Sequence, residues 1–108
     1  CVVVPKAHPL SKRRSVDYAE ALRYDQVEQR SGSALAQLLD ERAKVVGLAR
    51  RTRIRVHGFG TICGMVAEGM GIGVVPSFIM KAAQARAQGI RFIPLADRWA
   101  HTHGHRLQ

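Results

Sequence analysis

Short apolar strands alternate with amphipathic helices along this 108-residue chain, and this alternation limits the folds open to it. Strands are predicted at residues 1–4, 25–29, 52–56, 72–75 and 90–95. Helices are predicted near 15–22, at 33–46, around 62–70 and at 77–88. The order is therefore strand, helix, strand throughout. It predicts an α/β protein with a mainly parallel sheet flanked by helices and joined by right-handed crossovers.

Residues that cap and end helices support this division. Ser15 is expected to cap the first helix, and Ser31 or Ser33 the second, because a hydroxyl accepts from the free amides of a first turn. Gly47 is expected to end the second helix. An exposed loop is predicted from Lys6 to Arg14. The apolar stripe of the second helix consists of Leu35, Leu38, Leu39 and Val46.

The chain is strongly basic, with 17 Lys and Arg against 8 Asp and Glu, a net charge of +9 and a pI near 10.8. This balance suggests anionic partners, and a basic nucleic-acid-binding module is one alternative. The basic residues cluster at 12–14 and 50–55, however, and aromatic residues make up only 6%, so a solubilising surface is favoured. The acidic residues predicted to lie on the surface are Asp17, Glu20, Asp25, Glu28 and Asp40.

The cysteines and the hydropathy pattern favour a soluble, cytoplasmic protein. Cys1 and Cys63 make neither a disulfide framework nor a metal-ligand pattern, and Cys63 falls in an apolar helical pattern where thiols are usually buried. No uncharged run approaches the ~20 residues of a membrane span, and no secretory leader is visible. Because the sequence begins with Cys1, we expect it to be part of a longer protein.

Two strand-to-helix turns are the candidate binding site. In open α/β sheets ligands bind beyond the carboxyl ends of the strands. Free amides at a helix start attract anions, glycine lets the backbone approach a ligand, and arginine offers a fork to a carboxylate. If the two strands are neighbours, both turns open on one edge. The predicted site residues are Gln29, Arg30, Ser31, Gly32, Ser33, His57, Gly58, Phe59 and Thr61.

Three other patterns are weaker evidence for a function. The glycines of GMGIG follow a helix and precede a strand, the reverse of a dinucleotide fingerprint, so they predict a tight, closely packed turn. Ser31 or Ser33 beside His57 lacks a third, orienting carboxylate, and no catalytic motif is present, so neither an enzyme nor a cofactor is expected. The histidines of 101–105 suit a disordered tail at 101–108 better than a metal site.

Several segments together resemble a known family. VVVPKAHPL, the later SGSALAQLL, FGTICGMVAEGMGIGVVP and IRFIPLAD are similar to the effector-binding domain of LysR-type transcriptional regulators. The resemblance covers about residues 1–100, and FGTICGMVAEGMGIGVVP is its most typical part. The same fold also serves solute-binding proteins outside the cell, which is a second alternative.

The resemblance implies a periplasmic-binding-protein-like fold, in which two α/β subdomains are joined by two crossing strands around a small-molecule cleft. Residues 5–75 would be the second subdomain and residues 76–100 a segment returning to the first. Residues 1–4 and 72–76 would be the crossing strands. Both turns would face a small, anionic effector. A helix-turn-helix outside this sequence would bind DNA in a homodimer or tetramer, with no catalysis and no membrane.

Overall fold

The computed structural model describes residues 1–30, 34–79 and 89–102, with side chains described to residue 100. Strands and helices alternate over residues 1–74, and a short 3-10 helix lies in the first connection. The strands are β1 (Val2–Pro5), β2 (Gln26–Gln29), β3 (Thr52–Val56), β4 (Gly73–Val74) and β5 (Ile90–Ile93). The helices are η1 (Pro9–Lys12), α1 (Tyr18–Ala21), α2 (Ala34–Val45), α3 (Phe59–Ala67) and α4 (Trp99–Thr102). The predicted α/β class is confirmed.

The strands form a mixed arrangement, which corrects the expectation of a mainly parallel sheet. β1 lies between β4 and β5 and runs antiparallel to both, whereas β2 and β3 are parallel. A parallel bridge between Gln26 and Ile72 joins the two groups, and the Val27 amide donates to the Ile72 carbonyl at 2.8 Å. The periodicity that identifies a strand carries no information on its direction, so the antiparallel pairs could not be anticipated.

Two apolar clusters lie on opposite faces of β1, because side chains alternate along a strand. Val2 and Val4 belong to a cluster with Tyr18 and α2, and Val3 belongs to a cluster with α3. All three valines are fully buried. The CVVV run is therefore apolar throughout because both of its faces are covered. Cys63 is buried in the α3 cluster, as predicted, and burial raises the pKa of its thiol.

The GMGIG segment forms the tight, closely packed turn predicted for it. Gly71 has a φ of +149°, and a Cβ there would lie 2.6 Å from the Asp25 carbonyl oxygen. A Cβ on Gly73 would lie 2.6 Å from the Ile62 side chain. Glycine is required at both positions, because β4 has to approach β2 and α3 more closely than any side chain allows.

The ends of α1 and α2 test the predicted caps. α1 begins at Tyr18 rather than near Ser15, and the Tyr18 amide donates to Asp97 Oδ1 at 2.8 Å, so its acceptor comes from a distant segment. Gly47, with a φ of +72°, ends α2 as predicted, and the Leu48 amide donates to the Ala43 carbonyl. The caps proposed at Ser31 and Ser33 lie outside the described residues.

Other segments differ from expectation. The predicted loop at 6–14 contains η1, because Leu10 packs into the core. Val46 is 44% exposed, since it follows the end of α2 instead of continuing its buried stripe. The tail predicted at 101–108 begins inside α4, which runs to Thr102. Most of the helix predicted at 77–88 and residues 103–108 lie outside the described residues.

No helix in the described ranges is long and apolar enough to cross a membrane.

Candidate effector site

The described starts of the two predicted turns, at residues 29–30 and 57–58, lie side by side at the carboxyl edge of β2 and β3. The strands pair in parallel with Gln29 opposite Val56. The Arg30 amide donates to the Val56 carbonyl at 3.0 Å, and the Gly58 amide donates to Gln29 Oε1 at 3.0 Å. The carboxyl ends of β2 and β3 are therefore neighbours at one edge, whereas the assignment of both turns to one site stays a prediction. Gln29 therefore joins the two turns, a role that its residue type alone did not indicate.

The second turn presents the start of α3. Gly58 is the N-cap, with φ +87° and ψ +141°, and brings no side-chain acceptor to the first turn. Its carbonyl accepts from the Ile62 amide at 3.2 Å. The amides of Phe59, Gly60 and Thr61 precede the first hydrogen-bonded turn and point out of the helix start. Together with the dipole of this nine-residue helix, they favour a negatively charged group.

The side chains around these turns are accessible. Arg30, His57 and Thr61 are exposed, and Phe59 is half-buried. Ser31, Gly32 and Ser33 lie outside the described residues, so their place beside Arg30 stays a prediction. The accessible groups offer one guanidinium, one imidazole and one hydroxyl beside the helix start. These groups suit a small ligand with carboxylate or hydroxyl oxygens.

An aromatic pair at the same edge includes a residue that the sequence analysis did not select. The rings of Phe59 and Phe78 meet edge to face, with centroids 6.5 Å apart and an interplanar angle of 88°. Phe78 is 64% exposed, which is unusual for a ring of this size. The signal in the sequence was Pro76, which follows the strand predicted at 72–75. Residues after it, including Phe78, are therefore expected at the carboxyl end of that strand. The pair offers an apolar wall beside the polar groups.

A buried ion-pair network lies at the carboxyl end of β2 and corrects the surface position predicted for Glu28. Arg50 Nη2 lies 2.9 Å from Glu28 Oε1, and both side chains are less than a tenth exposed. Thr52 Oγ1 donates to Glu28 Oε2 at 2.6 Å, and Arg50 Nη1 contacts Asp40 of α2 at 2.7 Å. The network links β2, α2 and the start of β3.

The described residues bring together no group of three or more His, Cys, Asp or Glu side chains suited to a metal ion.

Comparison with known proteins identifies the family. Residues 1–105 match the model of the LysR substrate binding domain. The chain belongs to this family. The resemblance drawn from the sequence is thereby confirmed, and with it the periplasmic-binding-protein-like architecture. No curated protein matches the sequence significantly.

Solved effector-binding domains share the fold of this LysR-family chain. The QuiR effector-binding domain in complex with shikimate aligns over 89% of this chain and 44% of its own length, with 22% identity and a TM-score of 0.79. The CcmR regulatory domain of Synechocystis PCC6803 in complex with 2-PG aligns over 88% and 45%, with 18% identity and a TM-score of 0.75. The BenM effector-binding domain with benzoate aligns over 90% and 44%, with 22% identity and a TM-score of 0.69. The chain thus spans less than half of each.

Proposed function

We propose that this chain is the ligand-sensing lobe of a bacterial LysR-type transcription regulator. The observation that carries the proposal is the shared edge of the two turns, joined by the bond from the Gly58 amide to Gln29. A ligand seated there contacts both turns at once. We infer that the lobe binds its ligand without converting it, because the described residues of the two turns offer hydrogen-bond donors and no nucleophile paired with an oriented base.

The proposed effector is a small anion with an apolar body. Arg30 and the α3 amides receive its negative group, while His57 and Thr61 bond its remaining oxygens. Phe59 and Phe78 contact its apolar part. Gln29 and Gly58 hold the turns in place, and Ser31, Gly32 and Ser33 complete the first turn. The related domains described above are in complex with shikimate, 2-PG and benzoate, and these three small molecules serve as first probes.

The proposed signal passes from this lobe to DNA through a change of lobe packing. In this proposal residues 5–75 form the second subdomain, and residues 76–100 lead back to a first subdomain outside this sequence. An effector that bridges both lobes favours one lobe arrangement only by its differential affinity for the two. That arrangement sets how a dimer or tetramer presents its helix-turn-helix domains to a promoter in the cytoplasm.

The test is a titration of the full-length regulator with a panel of small carboxylates and phosphates, followed by thermal stability and by a promoter reporter. An effector of this site raises the melting temperature and changes transcription. Arg30→Gln raises the effector concentration needed for either response about tenfold. Arg53→Gln on exposed β3 is the matched control and leaves both unchanged. An effector response that Arg30→Gln and His57→Gln leave intact would refute the assignment of the site.

A further inference from the structure

A second concave surface lies on the side of the lobe away from the two turns. It is an open groove of about 430 Å³ between η1 and the outer edge of β5. β5 is the last strand of the order β4-β1-β5, so β1 and β4 separate the groove from β2 and β3. The groove shares no residue with the effector site. Its lining residues are Lys6, Ser11, Arg13, Arg14, Ile90, Arg91, Phe92, Ile93 and Pro94.

The groove forms where the segment after η1 separates from β5. The Val16 amide donates to the Pro94 carbonyl at 3.0 Å, and Val16 pairs with Leu95, so this segment closes one end. At the other end the Lys6 amide donates to the Gly89 carbonyl at 2.9 Å. Between these bonds β5 has β1 on one side and the groove on the other. The walls are therefore held by backbone hydrogen bonds at both ends.

Three cations from separate segments line this groove, and none of them has an ion-pair partner among the described residues. Lys6, Arg14 and Arg91 are exposed, and their side chains take part in none of the ion pairs or side-chain hydrogen bonds found between described residues. Arg13 differs, because both of its Nη atoms bind the Glu20 carboxylate, at 2.7 and 3.0 Å. Positive charge is thus concentrated in a concavity where no carboxylate of the lining neutralises it.

We propose that this groove is a binding site for a small, multiply charged anion that carries phosphoryl or carboxylate oxygens. Two guanidinium forks and one ammonium suit such oxygens, since arginine binds them in pairs. The volume lies in the range of small-molecule sites, and Phe92 and Pro94 supply apolar wall. The groove is separate from the proposed effector site, so the test of this proposal does not depend on which effector binds there.

A small anion is favoured over nucleic acid by the shape of the groove and the position of its basic residues. The cations line one short concavity, whereas a duplex needs basic residues spread along a face to follow its phosphates. Arg53 and Arg55 are exposed on β3, beyond β2, β4 and β1 from the groove. They therefore serve as a control of equal charge.

The experiment is isothermal titration of the 108-residue chain with pyrophosphate and with citrate at fixed ionic strength. We compare the chain with the double variant Arg14→Gln/Arg91→Gln and the control Arg53→Gln/Arg55→Gln, after circular dichroism has shown that each is folded. Lys6→Gln serves as a second groove variant. The expected result is binding that either groove variant weakens about tenfold or more and that the control leaves within about twofold.

Three results would overturn the proposal. The first is no binding of either anion by the unaltered chain. The second is equal weakening in the groove and control variants, which would indicate attraction by net charge alone. The third is a DNA duplex that binds through Arg14 and Arg91 in a gel shift while neither anion does, which would assign the groove to nucleic acid.

Discussion

Replacement of Arg50 by Met tests the energetic role of the buried ion pair most sharply. The substitution keeps the apolar stem of the side chain and removes its charge. Glu28 then keeps a buried carboxylate whose remaining hydrogen bond is the one donated by Thr52 at 2.6 Å. Removing one partner of a buried pair costs about 3–5 kcal/mol, since the charge left behind is uncompensated.

The lower end of this range is expected here, because Thr52 still donates to the carboxylate. The contact between Arg50 and Asp40 adds little, as the Asp40 side chain is 60% exposed and screened by water. A loss of about 3 kcal/mol is large against a domain stability of about 5–15 kcal/mol. The double variant Glu28→Gln/Arg50→Met leaves no buried charge and is expected to recover about 1–2 kcal/mol of that loss.

Urea unfolding followed by circular dichroism measures these differences. With a slope of about 2 kcal/mol per molar urea, Arg50→Met lowers the midpoint by about 1.5 M. Arg13→Met is the matched control, since it breaks the exposed pair with Glu20, and it costs less than about 1 kcal/mol. If Arg50→Met and Arg13→Met lowered the midpoint equally, or if the double variant were less stable than Arg50→Met, the reasoning would fail.

Three further predictions follow from single groups. Burial lowers the pKa of His8, whose Nδ1 accepts a hydrogen bond from the Leu10 amide at 3.1 Å. The stability that neutral His8 contributes is therefore present above pH ~6.5 and is lost as the pH falls through the folded-state pKa. The urea midpoint should fall more between pH 7.5 and 5.5 in the unaltered chain than in His8→Asn, and an equal fall would exclude this role. Gly71→Ala should cost about 1–3 kcal/mol in the same assay because of its positive φ and the Asp25 carbonyl; a change within error would contradict the packing described. Cys63 should react with Ellman's reagent only as fast as the chain opens, and fast reaction in the native state would argue against its burial.

The strands, and the sheet edge at which the candidate site lies, could be predicted from the sequence because the patterns that indicate them are local. β3 occupies the predicted residues 52–56, with Arg53 and Arg55 exposed and Val56 buried. Alternation of polar and apolar side chains identifies such a strand without knowledge of its neighbours. The same holds for the two turns, because parallel strands joined by helices place their carboxyl ends together.

Predictions from the sequence were wrong where a residue distant along the chain determines burial, a helix start or a strand direction. Glu28 is of a residue type that is usually exposed. Its burial is compensated by the ion pair with Arg50 and the hydrogen bond from Thr52. α1 begins at Tyr18 because Asp97 accepts from its amide, although Ser15 was the better local cap. The direction of β1 is likewise a tertiary property, since alternation and apolar content are the same for a parallel and an antiparallel strand.

The central claim is that two neighbouring turns bind one effector together, and amide NMR of the 108-residue chain tests it directly. The chain is titrated with the small carboxylate or phosphate that stabilises the regulator most, at concentrations high enough to saturate weak binding. The account predicts that the amides of Arg30 and Gly58 shift together, with one dissociation constant. Shifts confined to one turn, or shifts elsewhere while both turns stay unchanged, would contradict it.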